Sequence, residues 1–331
     1  MAERPRLASR ERFLMRDCLP GGLPFGEDIR LGLTSRPKSI PPRYFYDPLG
    51  SALFTAICEL PEYTITRAET EILRGSAAAM ARMFAAPARV VELGSGDSRK
   101  SSLLIEALLE RQPALTYVPI DVDEGVLESS ARELLASNPS LTIEAVCADF
   151  RDMAELLTPA SGRTVALFLG STIGNLDPPA AASMLRSIRR ILARGDVLLL
   201  GADLRKSKEI LEPAYNDALG VTAAFNLNLL TRINRELGGH FDVAKFAHRA
   251  FFNEEASRIE MHLVSRERQN ISIDALPLDV HFEPGETIHT ENSYKYTDGD
   301  IDTLAREGGF DVQQRWRDSG KSFTDVLMVA R

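Results

Sequence analysis

Five apolar runs with strand character recur between residues 88 and 205: "ARVVEL", "LTYVPID", "LTIEAVCAD", "TVALFLG" and "DVLLLGADL". Among them stand "SSLLIEALLERQ", "GVLESSARELLAS" and "AAASMLRSIRRILARG", whose apolar residues return at helical spacing. Continuous rather than alternating hydrophobicity marks strands covered on both faces, so the pattern predicts the parallel sheet of an α/β fold, with five parallel strands as a minimum. The final stretch, "DGDIDTLAREGGFDVQQRWRDSGKSFTDVLMVAR", predicts a helix stopped by Gly308 and Gly309, then two strands joined by a polar turn that close the sheet antiparallel.

Residues 206–295 break this rhythm. "EILEPAYNDALGVTAAFNLNLLTRINREL" has helical spacing with a break near Gly220, and "SRIEMHLVSRE" alternates Ile259, Met261 and Leu263 against Arg258, Glu260 and His262. Helices followed by strands with one wet face predict an α+β insertion. The first 65 or so residues, with "LPGGLP" and "RPKSIPPRYFYDPLG", also lack a βαβ pattern and are grouped with it. The expected division is a sheet domain over 68–205 and 296–331, and a second, substrate-binding cap domain over 15–67 and 206–295.

Composition narrows the partners. With 331 residues, 44% of them hydrophobic, the chain can build a sizeable core, and its formal net charge of -8 gives no footprint for nucleic acid or an anionic membrane. Cys18, Cys58 and Cys147 are odd in number and far apart, which argues against a disulfide framework or a zinc site and for a reducing, cytoplasmic setting. The Arg-rich start "MAERPRLASRERFLMRD" carries Glu3 and Glu11 and no apolar core of a secretory signal, and no run approaches a membrane span. The five histidines show no metal-ligand spacing, so no metal is expected. A small-molecule partner and a monomer are the expectation.

The loop after the first predicted strand, "VVELGSGDSRKSS", decides which small molecule. A phosphate-binding Walker loop needs Gly directly before Lys-Ser, where Arg99 stands, and a dinucleotide fingerprint needs its third glycine at that same position. What remains is Glu92 ahead of Gly94 and Gly96, an acid at a strand tip that suits a cationic ligand such as S-adenosylmethionine better than a pyrophosphate. Asp121, ending the second strand, can accept both ribose hydroxyls, while Asp149 and Phe150, after the third, can take the adenine amino group and ring. Singly, a G-x-G turn is weak and a strand-end Asp is more often a helix cap. Their co-occurrence at three successive strand ends favours nucleoside binding, with a methyl donor ahead of a nicotinamide.

The stretches "YFYDPLGSALFTAICELPEYTITRAETEIL", "VELGSGDSRKS", "FLGSTIGNL", "AYNDALGVTAAFNLNLL", "SRIEMHL" and "TENSYKY" together resemble the histidine-specific Nα-methyltransferases of ergothioneine biosynthesis, from about residue 40 to the end of the chain. The resemblance implies a class I S-adenosylmethionine-dependent methyltransferase fold, Rossmann-like, and three methyl transfers onto the α-amine of L-histidine, giving hercynine and S-adenosylhomocysteine. It implies that Tyr46 and Phe54 close over the methyl donor, and that Gly94, Lys100, Asp121, Asp149 and Phe150 contact it, with Lys100 meeting its methionine carboxylate. Tyr63, Gly170, Asn175 and Tyr215 are the implied holders of the amino acid's carboxylate and amine; Glu291 and Ser293 are the implied imidazole readers, with Met261 shaping the same pocket. Tyr46 and Asn175 are the implied catalytic pair.

These residue types suit the chemistry. Displacement at a sulfonium carbon requires a neutral amine, and Asn175 can bond the nitrogen without adding the charge that would hold its proton on. A carboxylate and a hydroxyl can serve the two imidazole nitrogens, and losing one buried charged hydrogen bond costs about 1.5–3 kcal/mol. By position alone Met261 reads as core and Tyr215 as a packing residue. The other readings left open are methyl transfer to another amino acid such as tryptophan, a nicotinamide oxidoreductase, and a nucleoside sensor without turnover.

Overall fold

The computed structural model describes residues 12–19, 24–84, 89–152, 156–157 and 162–331. The Arg-rich start over 1–11 and residues 20–23 of "LPGGLP" lie outside them. The chain divides into two compact units, one of Met1–Pro20, Arg67–Leu204 and Tyr296–Arg331, the other of Gly21–Thr66 and Arg205–Lys295.

The first unit is built on β1 (Phe13–Asp17), β3 (Arg89–Leu93), β4 (Leu115–Asp121), β5 (Leu141–Cys147), β6 (Thr164–Phe168), β7 (Val197–Asp203), β13 (Phe310–Arg317) and β14 (Phe323–Ala330). They form one eight-stranded sheet in the order β1-β5-β4-β3-β6-β7-β14-β13. The run from β1 to β7 is parallel, and β14 pairs antiparallel with both β7 and β13, so the C-terminal hairpin closes the sheet. Val91, Ile120, Phe168, Leu198 and Leu200 are fully or almost fully buried, and α6 (Pro178–Arg190) and α9 (Asp298–Gly308) add Leu185, Ile188 and Ile301 to the same core. Burial on both faces is what the uninterrupted apolar runs required.

One boundary needs correction. Residues 15–20 were assigned to the second domain, but Phe13–Asp17 is the parallel edge strand of the sheet, paired with β5. Arg12 anchors it by donating to the carbonyls of Leu135 and Asn138, at the end of α5 (Glu124–Ser137), and of Leu141, at the start of β5. A single edge strand carries no βαβ pattern of its own, and "FLMRD" is too short for periodicity to reveal it.

In the second unit β2 (Lys38–Ser39), β8 (Phe246–Asn253), β9 (Arg258–Ser265) and β12 (Thr287–Tyr294) make a four-stranded sheet in the order β2-β12-β9-β8. β10 (Gln269–Ile273) and β11 (Leu278–Phe282) form a separate pair. α1 (Phe25–Thr34), α2 (Pro48–Cys58), the short α7 (Lys208–Leu211) and α8 (Val221–Leu237) complete the unit, and α8 packs on α2, β8 and β9. α8 starts after Gly220 (φ +76°), where the helical pattern breaks. Among the described residues no helix is long and apolar enough to cross a membrane.

Candidate active site

In the first unit the strand order reverses at β3, whose neighbours β4 and β6 lead away in opposite directions; ligands of open α/β sheets bind in the crevice outside such a point. Gly94 and Gly96 turn the chain from β3 into α4 (Arg99–Leu109) with φ of +65° and +51°, a region that L side chains rarely adopt. The Gly96 N–H donates to Asp121 Oδ2 at 2.9 Å and the Asp123 N–H to Oδ1 at 3.1 Å, so the carboxylate at the tip of β4 is held by two backbone donors. Burial pushes the Asp121 carboxyl above its ordinary range, and these N–H groups pull the other way.

A Cβ on Gly94 would touch the Phe150 ring at 3.8 Å and Thr172 at 3.9 Å, which places the ends of β3 and β6 and the residue after Asp149 around one point. Asp149 is buried, and Arg151 grips its carboxylate through Nε at 2.9 and 3.0 Å. The Arg151 backbone N–H adds a contact at 3.0 Å to Oδ1 and its Nη2 donates to Oδ2, so the roughly four acceptor sites of this carboxylate are taken by Arg151. Lys100 and Gly170 meet on Glu69, a residue of α3 (Thr64–Met83): Lys100 Nζ donates to its carboxylate, and the Gly170 N–H lies 2.8 and 2.9 Å from its two oxygens. Asn175 ends the short helical turn that follows, Thr172–Asn175.

Glu92 stands near the end of β3, before the glycine turn. It is buried, accepts from the Tyr117 hydroxyl, and its carboxyl is pushed up to about 7 by burial, against the hydrogen bonds of Tyr117 and Ser101. Tyr117 also meets Ser98 at 2.9 Å, and Ser98 holds a left-handed φ of +55°. Glu92 is thereby tied through Tyr117 to Ser98 of the loop that precedes α4.

The second unit gathers another group of the candidate residues. Tyr46, Phe54, Tyr63 and Tyr215 form a chain of edge-on rings with successive centroids 5.7, 6.2 and 6.2 Å apart. Asp47 secures its start: it caps α2 through the Gly50 N–H at 2.7 Å and accepts from Asn228 at 2.8 Å and Arg235 at 2.6 Å. At its other end the Tyr215 hydroxyl meets Ser293 Oγ at 2.7 Å, and Lys295 Nζ donates to both at 2.9 Å. Met261 is buried on β9, directly across from Glu291 on β12. Gly170 and Asn175 belong to the first unit.

A register shift between His289 and Glu291 separates two faces of β12. Glu291, Ser293 and Lys295 are buried, whereas His289 and Asn292 pair with each other at 2.9 Å. Asn292 thus sits between the two readers in sequence only. Lys295 is 2% exposed and was not among the expected residues, although its spacing of two from Ser293 placed it on the same face.

Cross-strand register also brings Glu260, His262 and His289 together, with one possible ligand atom of each within 4.8 Å, a cluster that linear spacing could not reveal. The expected wet face of β9 is accordingly half covered. Arg258 Nε and Asn253 hold Glu260 Oε1 at 2.9 Å each. Burial raises the Glu260 carboxyl, but the hydrogen bonds from Arg258, Asn253 and His262 bring it down to about 2, so its charge is already matched by a guanidinium.

The model of the family described as histidine-specific, S-adenosylmethionine-dependent methyltransferases matches residues 25–330. The chain belongs to this family. It is 43% identical to a histidine N-alpha-methyltransferase of Mycolicibacterium smegmatis over 91% of this chain and 94% of that protein. The corresponding enzyme of Mycobacterium tuberculosis is 43% identical over 92% of this chain and 94% of its own length. Ergothioneine biosynthesis protein 1 of Schizosaccharomyces pombe is 27% identical over 88% of this chain and 39% of that protein. The chain has a mostly parallel sheet closed by an antiparallel C-terminal hairpin, the α/β fold expected of this family.

Glu291 yields a prediction about pH. Burial raises its carboxyl from 4.5 to about 7, with Lys295 opposing. Between those values the folded protein keeps a proton that the unfolded chain releases, so this residue's contribution to stability falls as pH rises from about 4.5 to about 7 and is fully unfavourable above, by at most on the order of 3 kcal/mol. Glu291→Gln should therefore raise the melting temperature at pH 8 and leave it nearly unchanged at pH 5, as read by calorimetry; an equal shift at both would show that the carboxyl is not perturbed.

Proposed function

We propose that this chain transfers three methyl groups from S-adenosylmethionine to the α-amino nitrogen of L-histidine, giving hercynine, in the first step of ergothioneine biosynthesis. The observation that carries the reading is a buried carboxylate, Glu291, two residues from a buried hydroxyl, Ser293, that is bonded to Tyr215, within a chain of the histidine-specific family. A carboxylate accepts from one imidazole nitrogen and a hydroxyl serves the other, a pairing an apolar side chain cannot satisfy.

In this reading Asp121 takes the ribose hydroxyls, Asp149 and Phe150 the adenine, Gly94 admits the donor close to the backbone, and Lys100 holds its carboxylate. Tyr46 and Phe54 cover the sulfonium, Met261 sets the depth of the imidazole pocket, and Tyr63, Gly170, Asn175 and Tyr215 orient the backbone groups of histidine. In each transfer the nitrogen lone pair forms the new C–N bond while the C–S bond breaks, leaving the electron pair on the sulfur of S-adenosylhomocysteine. Before each attack the nitrogen must be neutral, so the ammonium of histidine, and then the mono- and dimethylated ammonium, each lose a proton first. Asn175 bonds the nitrogen without stabilising its charge, and the Tyr46 hydroxyl is the proposed relay, taking the ammonium proton on its oxygen as it passes its own proton to water.

The reading is tested at its cofactor by melting. S-adenosylhomocysteine at about 100 times its Kd should stabilise the protein by about 2.7 kcal/mol, whereas NAD should not; stabilisation by NAD instead would favour an oxidoreductase.

A further inference from the structure

Glu69 has no role among the residues discussed for binding or chemistry, yet its carboxylate is 0% exposed and joins two of them. Its oxygens accept the Gly170 N–H at 2.8 and 2.9 Å, and Lys100 donates to the same group. The sheet leaves space for it: a Cβ on Gly201 in β7 would lie 2.0 Å from Glu69 Oε1, so only glycine allows this approach. Asp325, paired in register with Gly201, is also 0% exposed, and neither of its oxygens has a hydrogen-bond partner among the described residues. Burial pushes its carboxyl well above the usual range, the Glu69 carboxylate adds to the shift, and Lys100 opposes it. Lys100 accordingly donates to Glu69 and to neither Asp325 oxygen.

We propose that Glu69 is a positioning residue for the methyl donor: its one carboxylate fixes the Lys100 ammonium against Gly170, at the start of the loop that carries Asn175. The inference rests on the reading that the first unit binds S-adenosylmethionine with Lys100 on the methionine carboxylate. An ammonium has three N–H donors, so Lys100 can hold Glu69 and the donor's carboxylate together. A lysine side chain ordered in advance loses less rotamer freedom when the donor arrives. Glu69 thereby sets the donor's amino-acid end relative to the loop of the amine-binding asparagine, where misplacement of about 1 Å can cost two orders of magnitude in rate.

The test compares two probes by calorimetry: S-adenosylhomocysteine, and 5′-methylthioadenosine, which has the same nucleoside and thioether but no amino-acid end. In Glu69→Gln the Kd for S-adenosylhomocysteine should rise about tenfold while that for methylthioadenosine stays within about twofold. Gly201→Ala, which drives a methyl into Glu69 without changing any charge, should produce the same selective loss and serves if the first variant does not fold. Asp325→Asn should bind both probes as the unaltered protein does. Unchanged or tighter binding of S-adenosylhomocysteine in Glu69→Gln would overturn the proposal, as would equal weakening of both probes, which marks general damage to the pocket. If the unaltered protein binds neither probe, the cofactor reading itself fails, an outcome distinct from binding that the substitution leaves untouched.

Discussion

Glu291→Ala should lower kcat/KM for histidine by roughly 10- to 150-fold, the equivalent of about 1.5–3 kcal/mol for one buried charged hydrogen bond. The imidazole N–H would lose an acceptor that is itself buried. Folding should not suffer at pH 8, because the displaced carboxyl is one that burial holds at about 7 and whose ionised form costs stability there. Loss of turnover with an unchanged or higher melting temperature separates a reader of the substrate from a structural residue. Turnover of histidine that survives the substitution intact would mean that Glu291 does not read the ring, and would move methyl transfer to a different amine ahead of histidine.

Asp121→Ala should weaken S-adenosylhomocysteine binding by roughly two to four orders of magnitude, since two charged hydrogen bonds to the ribose are lost at about 1.5–3 kcal/mol each. The ligand-induced rise in melting temperature should vanish in this variant. The geometry supports the size of the effect: Gly96 and Asp123 hold the two oxygens at 2.9 and 3.1 Å, so the carboxylate is ordered before the ligand arrives. Binding that is reduced less than tenfold would place the ribose elsewhere.

The sheet and its strand tips were legible in the sequence because they are local. Continuous apolar runs set the strands, and Gly94, Asp121 and Asp149 each follow or end one of them, so a linear reading already put them at neighbouring tips. What depends on long-range register was not legible. The Glu260, His262 and His289 cluster arises from pairing between β9 and β12 together with a bulge, and neither is visible in histidine spacing. Glu69 shares its helix with Glu71, and the linear pattern does not separate the two; only the approach of Gly170, Lys100 and Gly201 distinguishes it. Lys295 could have been found from the alternation of residues 291, 293 and 295, but a lysine in a strand ordinarily points to water. Glu92 was legible as a strand-tip acid, but its bond to the Tyr117 hydroxyl, one strand over, depends on sheet register and was not.

The most direct test of the account is mass spectrometry of each of the twenty amino acids incubated with the protein and S-adenosylmethionine. Histidine alone should gain one, then two, then three methyl groups, all on the α-nitrogen, with one S-adenosylhomocysteine released per methyl. A methylated imidazole ring, preferential methylation of tryptophan or another amino acid, or no mass gain on histidine at all would contradict it.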